Sequence, residues 1–262
     1  MKKHTVSTIQ SSKGIKKLTM ITAYDALFAN LFDGEVDFIL VGDSLNMSFG
    51  GNDDTLGITM DQMIYHTKAV CNGAKNSFII CDMPFGTYID KDTAFKNSMS
   101  VYQNTKADAV KIEGGKEKAE IVKYLTSNSI AVVGHIGLMP QNVRSEGGYK
   151  IKGKDQTNID SLISDAKAIE EAGAFMLVVE GVKSDAAKAI TDAVDIPVIG
   201  IGAGVDTDGQ VLVWSDMLGF FDQFKPKFVR RYLDGADLVK NSVKQYVQDV
   251  QNKKFPSKEE IY

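Results

Sequence analysis

Short apolar runs recur along the whole chain, and amphipathic or polar stretches separate them. Most of these runs are apolar at every position rather than at alternate positions, which is typical of parallel strands covered on both faces. We therefore predict eight strands, at residues 18–22, 38–42, 78–81, 109–112, 131–134, 176–179, 198–201 and 211–214.

The segments between these runs carry helix signals. Thr59 and Gln62 have the spacing of a capping box, in which each side chain satisfies a free backbone N–H of the first turn. Apolar residues at helical spacing run from 159 to 169, and Gly173 stands where a left-handed C-terminal cap belongs. We predict further helices at residues 95–106, 116–128 and 184–193, and a mostly helical segment from Phe228 onward.

This alternation of strands and helices indicates a parallel α/β fold. Eight strands favour a closed (β/α)8 TIM barrel, although a doubly wound open sheet produces the same local pattern. The length of 262 residues suits one barrel, so we predict a single catalytic domain over residues 1–262 with a C-terminal helical extension. Two long polar, glycine-containing loops, at 43–58 and 135–158, are predicted to act as mobile covers.

Composition and charge favour a small-molecule substrate. The net charge of −4 comes from interspersed residues with no basic stripe, so a nucleic-acid partner is not expected. No apolar run approaches the ~18 residues of a membrane span, and the polar start lacks the apolar core of a signal peptide. We therefore predict a cytoplasmic protein that does not enter the membrane. Cys71 and Cys81 lack disulfide or metal-site spacing and are expected to be buried.

Four of the predicted strands finish with a carboxylate, at Asp43, Asp82, Glu113 and Glu180. The carboxyl ends of parallel strands form the ligand-binding face of such folds, so these side chains should converge. Grouped carboxylates repel one another, and an all-oxygen set without a His or Cys cluster suits Mg²⁺ or another hard divalent ion. Asp43 and Asp82 are the first candidates for ligands. Each aspartate taken alone also suits a turn or a helix cap.

Other polar residues near the strand ends have a functional and a structural interpretation. Lys111 and Glu113 are two residues apart and should share one face of a strand, as an inward functional pair or as an ordinary ion pair. Glu180 is free to act as a base or is a solvated acid. Ser44 suits a substrate oxygen or a turn cap, and His135 suits an anionic ligand or a structural hydrogen bond.

Six short segments stand in a specific order and spacing over nearly the whole chain: residues 20–25 (MITAYD), 41–45 (VGDSL), 82–85 (DMPF), 110–115 (VKIEGG), 134–138 (GHIGL) with Pro140 and Gln141, and 199–204 (IGIGAG). In these segments the chain resembles the ketopantoate hydroxymethyltransferase family. Asn46, Met139 and Gly181 depart from that family, whose members usually carry Gly, Thr and Cys at these places.

The resemblance implies a (β/α)8 barrel with one Mg²⁺ per subunit and 5,10-methylenetetrahydrofolate as co-substrate. Such an enzyme transfers a one-carbon unit to 3-methyl-2-oxobutanoate and gives 2-dehydropantoate, in pantothenate biosynthesis. The resemblance also implies a homo-oligomer, expected to be a decamer. It assigns metal binding to Asp43 and Asp82 with Glu113 assisting, and proton acceptance to Glu180. The residues expected to bind the substrate are Asp43, Ser44, Asp82, Lys111 and His135.

Two other functions remain open at this point. A lyase or mutase of the phosphoenolpyruvate mutase and isocitrate lyase group also uses Mg²⁺-chelated α-keto acids in a barrel. Those enzymes usually present a reactive cysteine in a mobile loop, whereas Cys71 lies in a predicted helix and Cys81 at a strand end. A non-catalytic barrel that binds a keto acid or a metal is the second alternative, and the intact strand-end residues argue against it.

Overall fold

The computed structural model describes residues 3–221 and 225–262. The chain divides into two compact units, Met1–Val213 and Trp214–Tyr262, and the first unit contains the strands. The predicted single domain over 1–262 stays a prediction, and residues 1, 2 and 222–224 of it lie outside the described residues.

The strands form a closed parallel barrel. Each strand pairs with the next in chain order, and β8 pairs with β1, so the predicted TIM barrel is confirmed and the open sheet is excluded. The strands are β1 (Leu18–Thr22), β2 (Phe38–Val41), β3 (Phe78–Asp82), β4 (Ala109–Glu113), β5 (Val132–Gly137), β6 (Met176–Glu180), β7 (Val198–Ile201) and β8 (Gly209–Leu212).

The strand β8 lies two residues earlier than the apolar run at 211–214 predicts. It begins at Gly209, which pairs with both Leu18 and Ile199. A Cβ at Gly209 would lie 2.4 Å from the carbonyl oxygen of Leu18, so the close approach of the strands needs a glycine there. Glycine and glutamine carry no apolar signal, and the strand start was therefore missed.

Helices follow the strands around the barrel, with local caps that fix their starts. The capping box of Thr59 and Gln62 is confirmed, and Gly173 has φ +95° just after its helix, as predicted. The helices of the first unit are α1 (Val6–Gln10), α2 (Ala26–Phe32), α3 (Leu45–Ser48), α4 (Met60–Gly73), α5 (Lys91–Asn104), α6 (Ala119–Ser127), α7 (Val143–Glu146), α8 (Gln156–Glu171) and α9 (Ser184–Ala193), with 3-10 turns at Lys116–Lys118 and Pro140–Asn142.

A buried apolar cluster fills the barrel at the amino ends of the strands. Leu18, Phe38, Phe78 and Met176 begin their strands there, and Ile9 of α1 packs into the same cluster with no exposed surface. The segment before β1 therefore closes this end of the barrel. The opposite end carries the polar residues described below.

The C-terminal unit contains α10 (Trp214–Met217) and α11 (Gly235–Gln251). The predicted helical extension is confirmed, although its long helix begins seven residues after Phe228. In residues 3–221 and 225–262, no helix combines the length and the apolar character that crossing a membrane requires.

Candidate active site

Strands β2 to β6 bring the predicted polar residues together at their carboxyl ends. Register pairs Asp82 with Lys111 and Glu113 with His135 on neighbouring strands. Lys111 and Glu113 are alternate residues of β4 and both are buried, as the shared face predicts. Asp43 follows β2 directly, and Glu180 is the last residue of β6. The topology thus gathers residues that are up to 137 positions apart in the sequence.

Asp43, Asp82 and Lys111 form the buried centre of the site. The backbone N–H of Asp43 donates to Oδ2 of Asp82 at 3.0 Å, and Nζ of Lys111 lies 3.1 Å from Oδ1 of Asp82. Burial raises the pKa of both aspartates, and repulsion from Asp82 and Glu113 raises that of Asp43 further. Burial alone would lower the pKa of Lys111, but the three carboxylates outweigh it and raise that pKa, so the ammonium stays charged.

His135 lies between Lys111 and Glu113 on one side of its ring and Glu180 on the other. Its Nδ1 lies 2.9 Å from Nζ of Lys111 and 3.5 Å from Oε1 of Glu113, while Nε2 lies 3.3 Å from Oε2 of Glu180. Burial and Lys111 lower its pKa, whereas the carboxylates of Glu113 and Glu180 outweigh them and raise it to about 9.

The contact with Lys111 nevertheless favours a neutral ring. An ammonium and an Nδ1–H donor cannot both lie at 2.9 Å, so Lys111 donates and Nδ1 accepts. The ring proton then sits on Nε2 and faces Glu180. This Nε2 is buried and makes no aligned hydrogen bond among the described residues, and Oε2 of Glu180 lies 3.3 Å from it.

Glu180 differs from the other carboxylates because it reaches open space. Its side chain is 20 % exposed, against 4 % for Asp82 and for Glu113. Gly181 directly after it has φ +55°, which turns the chain at the strand end. A partly open carboxylate beside a buried polar group is placed to exchange a proton with a bound molecule.

Sequence reasoning missed two partners of the predicted residues. Gln141, in the 3-10 turn after β5, donates from its side chain to Asp43 and from its backbone to Glu113. The Tyr24 hydroxyl lies 2.8 Å from Oγ of Ser44. Both residues stood in the segments that resemble the family, and a polar side chain directly after Pro140 was the available signal for Gln141.

The donor set suits a divalent cation. Three buried carboxylates share one lysine, which leaves about two negative charges unneutralised when His135 is neutral. Oδ1 of Asp82 is buried, accepts no aligned hydrogen bond among the described residues and lies 3.1 Å from Nζ of Lys111. No three His, Cys, Asp or Glu side chains in the described part of the chain are arranged to hold one ion together. Magnesium usually takes only one or two carboxylates directly and keeps water or substrate in its other positions.

The two long loops predicted as covers contact each other. Nε of Arg144, in the loop after β5, donates to Oδ2 of Asp54, in the loop after β2, at 2.9 Å. The hydroxyl of Tyr149 approaches the sulfur of Met47 at 4.0 Å across the same pair of loops. The loops carry the short helices α3 and α7 and meet near the strand ends that hold the acids.

Comparison with known proteins gives one family over almost the whole chain. The family described as Ketopantoate hydroxymethyltransferase matches residues 3–258. A 3-methyl-2-oxobutanoate hydroxymethyltransferase of Aliarcobacter butzleri is 70% identical over 260 residues, covering 99% of this chain and 97% of that protein. The enzyme of the same name from Sulfurimonas denitrificans is 64% identical over 255 residues, covering 97% of each.

Solved structures with the same fold are more distant. Phosphonopyruvate hydrolase in complex with oxalate and Mg²⁺ superimposes with a TM-score of 0.63 over 99% of this chain and 93% of that one, at 11% identity. At this identity the likeness concerns the barrel alone. The lyase and mutase group is therefore related to this chain by fold, whereas the family match favours the hydroxymethyltransferase reading.

Proposed function

The chain belongs to the ketopantoate hydroxymethyltransferase family, and from this premise we propose that it acts as a hydroxymethyltransferase and how its residues divide the work. One observation carries the proposal: a partly open carboxylate, Glu180, stands beside a buried group that combines Lys111, His135 and three acids. This arrangement supports proton removal next to a keto group whose oxygen gains negative charge.

The proposed substrates are 3-methyl-2-oxobutanoate and 5,10-methylenetetrahydrofolate, and the product is 2-dehydropantoate for pantothenate synthesis. Mg²⁺ would be held by Asp43 and Asp82 with Glu113 assisting. When bound, it would supply positive charge for the keto acid oxygens. Two observations support this assignment. The buried carboxylates repel one another, and Oδ1 of Asp82 accepts no aligned hydrogen bond among the described residues beside its 3.1 Å ion pair with Lys111.

Glu180 is the proposed base. Its carboxylate takes the proton from C3 of the keto acid, and the C3 electron pair moves toward the keto carbon to give an enolate. Lys111 is the charged group that stabilises the enolate oxygen, because the surrounding carboxylates keep it protonated. His135 presents its Nε2–H, and Ser44 presents its hydroxyl, to substrate oxygens.

The remaining steps join the two substrates. C3 of the enolate forms a bond to the methylene carbon carried by the folate. That carbon is bonded to two folate nitrogens. Opening of the folate ring first breaks one C–N bond and leaves the carbon as an iminium on the other nitrogen, and the C=N electrons move onto that nitrogen as C3 attacks. Water then displaces this nitrogen, so the second C–N bond breaks, the hydroxyl oxygen comes from water and tetrahydrofolate leaves. The proton taken from C3 and one proton of the water end on the two folate nitrogens. The buried floor of the site keeps bulk water from the enolate, since its polar residues are at most 5 % exposed.

We also propose that the chain works as a homo-oligomer, with a decamer as the expected size from the family resemblance. The helix α11 supports self-association, because apolar side chains at four-residue spacing lie exposed along it. Val239, Val243 and Val247 form this stripe. The predicted cytoplasmic location stays a prediction.

The proposed base can be tested without folate. We expect Mg²⁺-dependent exchange of the C3 proton of 3-methyl-2-oxobutanoate in deuterium oxide, followed by NMR. Glu180→Gln should slow this exchange by about 100-fold or more, because an amide cannot take the proton. Glu171→Gln, on the exposed surface of α8, is the matched control and should exchange at the native rate. Native exchange in the Glu180 variant would remove Glu180 as the base.

A further inference from the structure

Gln141 connects two of the acids proposed to hold the metal. Its side-chain Nε2 donates to Oδ2 of Asp43 at 2.8 Å and to the carbonyl oxygen of Met83 at 3.0 Å. Its backbone N–H donates to Oε2 of Glu113 at 3.1 Å. Its Oε1 accepts from the hydroxyl of Tyr88. One buried glutamine thus contacts β2, β3 and β4 from the turn after β5.

The orientation of the Gln141 amide is determined by its partners. Both hydrogens of Nε2 point at acceptors, the Asp43 carboxylate and the Met83 carbonyl, which cannot donate. A flipped amide would place Oε1 against those two oxygens and leave two buried N–H groups facing the Tyr88 hydroxyl. That arrangement loses the two hydrogen bonds that Nε2 donates to Asp43 and Met83, and it adds repulsion between Oε1 and a carboxylate.

These contacts occupy one carboxylate oxygen of each aspartate. Gln141 engages Oδ2 of Asp43, and the Asp43 backbone N–H engages Oδ2 of Asp82. Oδ1 of Asp82 accepts no aligned hydrogen bond among the described residues and lies 3.1 Å from the Lys111 ammonium. Neutral donors therefore hold Oδ2 of each aspartate in place without adding charge, and Lys111 is the cation beside Oδ1 of Asp82. A charged donor at position 141 would instead neutralise part of the negative charge that attracts a cation.

We infer that Gln141 is a positioning residue, which fixes the Asp43 and Glu113 carboxylates relative to each other for the divalent cation, and that Tyr88 locks its amide. This inference rests on the metal ligands of the proposed function. Gln141 touches neither the substrate nor the reacting atoms in this role. Outer contacts of this kind tune metal affinity because they hold the ligands in the binding orientation before the ion arrives.

Calorimetric titration of the full-length protein with MgCl₂ tests the inference. Gln141→Met keeps the length of the side chain and removes both donors, and it should raise the Kd for Mg²⁺ about 10- to 100-fold. Tyr88→Phe should raise it less, by about 2- to 10-fold, because the amide keeps its donors and loses only the lock. Gln103→Met, at an exposed position of α5, makes the same change outside the site and should leave the Kd unchanged.

Circular dichroism and the melting temperature of each metal-free variant separate positioning from folding. A residue that only fills space would lower the melting temperature and leave the Kd within about twofold of the native value, and that result would overturn the inference. If Gln141→Met does not fold, an unchanged Kd in Tyr88→Phe overturns it instead.

The C3 exchange assay on the native protein distinguishes this failure from failure of the proposed function. Native Mg²⁺ binding without C3 exchange would reject the proposed chemistry and leave the role of Gln141 standing. Native exchange with an unchanged Kd in Gln141→Met would reject only the inference. A native protein that binds no Mg²⁺ would overturn both.

Discussion

Single residues in this site act in hydrogen-bonded pairs, and the sequence does not show which residues pair. Ser44 was placed in the site by its neighbour Asp43, but its partner Tyr24 lies twenty positions earlier, after β1. Tyr24 is completely buried, and its hydroxyl reaches Ser44 only because β1 and β2 are adjacent in the barrel. The residue type at each position was informative, whereas the pairing required coordinates.

This pair gives a prediction for substrate affinity. If Ser44 holds a substrate oxygen, Ser44→Ala should raise the KM for 3-methyl-2-oxobutanoate by about 2- to 12-fold, the range of one neutral hydrogen bond. Tyr24→Phe should raise it less, because the serine hydroxyl remains and only its orientation is lost. The double variant should match Ser44→Ala, since both changes remove the same interaction.

Steady-state kinetics of the four proteins form the measurement, with Tyr65→Phe at an exposed position of α4 as the control. Effects of Tyr24→Phe and Ser44→Ala that simply multiply in the double variant would show that the two hydroxyl groups act separately.

At the scale of elements, most strands were predictable because they are apolar runs buried on both faces, and β8, which begins with Gly209 and Gln210, was the exception. Helices were predictable where a cap coincides with apolar spacing, as at Thr59. The helix α5 begins four residues earlier than predicted because Asp90 caps it, accepting from the backbone N–H of Thr93 at 2.8 Å. Its polar first turn carries no apolar spacing, so periodicity could not find it.

The N-terminal segment had no strand or helix signal, yet it closes the barrel. Ile9 lies in the core cluster, and Asp37, just before β2, forms hydrogen bonds with the segment. Its Oδ1 accepts from Lys16 at 2.6 Å and from Nε2 of His4 at 2.9 Å, and its Oδ2 accepts from the backbone and hydroxyl of Thr19. Burial raises the pKa of Asp37, but these donors outweigh it and lower that pKa to about 2.

The lowered pKa of Asp37 predicts how this element responds to acid. The carboxylate stabilises the fold by at most about 2 kcal/mol. This contribution is complete above about pH 4 and is lost as the pH falls toward 2. Asp37→Asn should therefore lower the free energy of unfolding at pH 7 and lose less of it on acidification than the native protein. Urea unfolding at pH 7, 4 and 3 measures this difference. Asp195→Asn, an exposed change, is the control, and equal acid sensitivity of Asp37→Asn and native protein would contradict the prediction.

At the scale of the whole molecule, the convergence of the acids follows from barrel topology and was predictable. Acids at the ends of β2, β3, β4 and β6 had to meet at one end of a parallel barrel. The sequence could not show that Lys111 donates to His135, or that Glu180 alone among them reaches open space, because both depend on side-chain directions at the sub-ångström level. The sequence pattern predicted that these residues converge, whereas the role of each residue was taken from the family resemblance.

The proposed Mg²⁺ site predicts that the stability of the molecule depends on the metal. If Mg²⁺ binds the folded barrel and not the unfolded chain, a concentration of 100 times its Kd should stabilise the protein by about 2.7 kcal/mol. For a chain of this size, that corresponds to a rise in melting temperature of roughly 5–10 °C over metal-free protein in EDTA. Asp43→Asn should abolish the rise. It should also raise the melting temperature of the metal-free protein, because it removes a buried carboxylate that Asp82 and Glu113 repel.

Differential scanning calorimetry measures both shifts, with Asp195→Asn as the variant that keeps the native response. A full Mg²⁺-dependent rise in Asp43→Asn would show that Asp43 is not a ligand, and a lower metal-free melting temperature would show that repulsion does not dominate at this position.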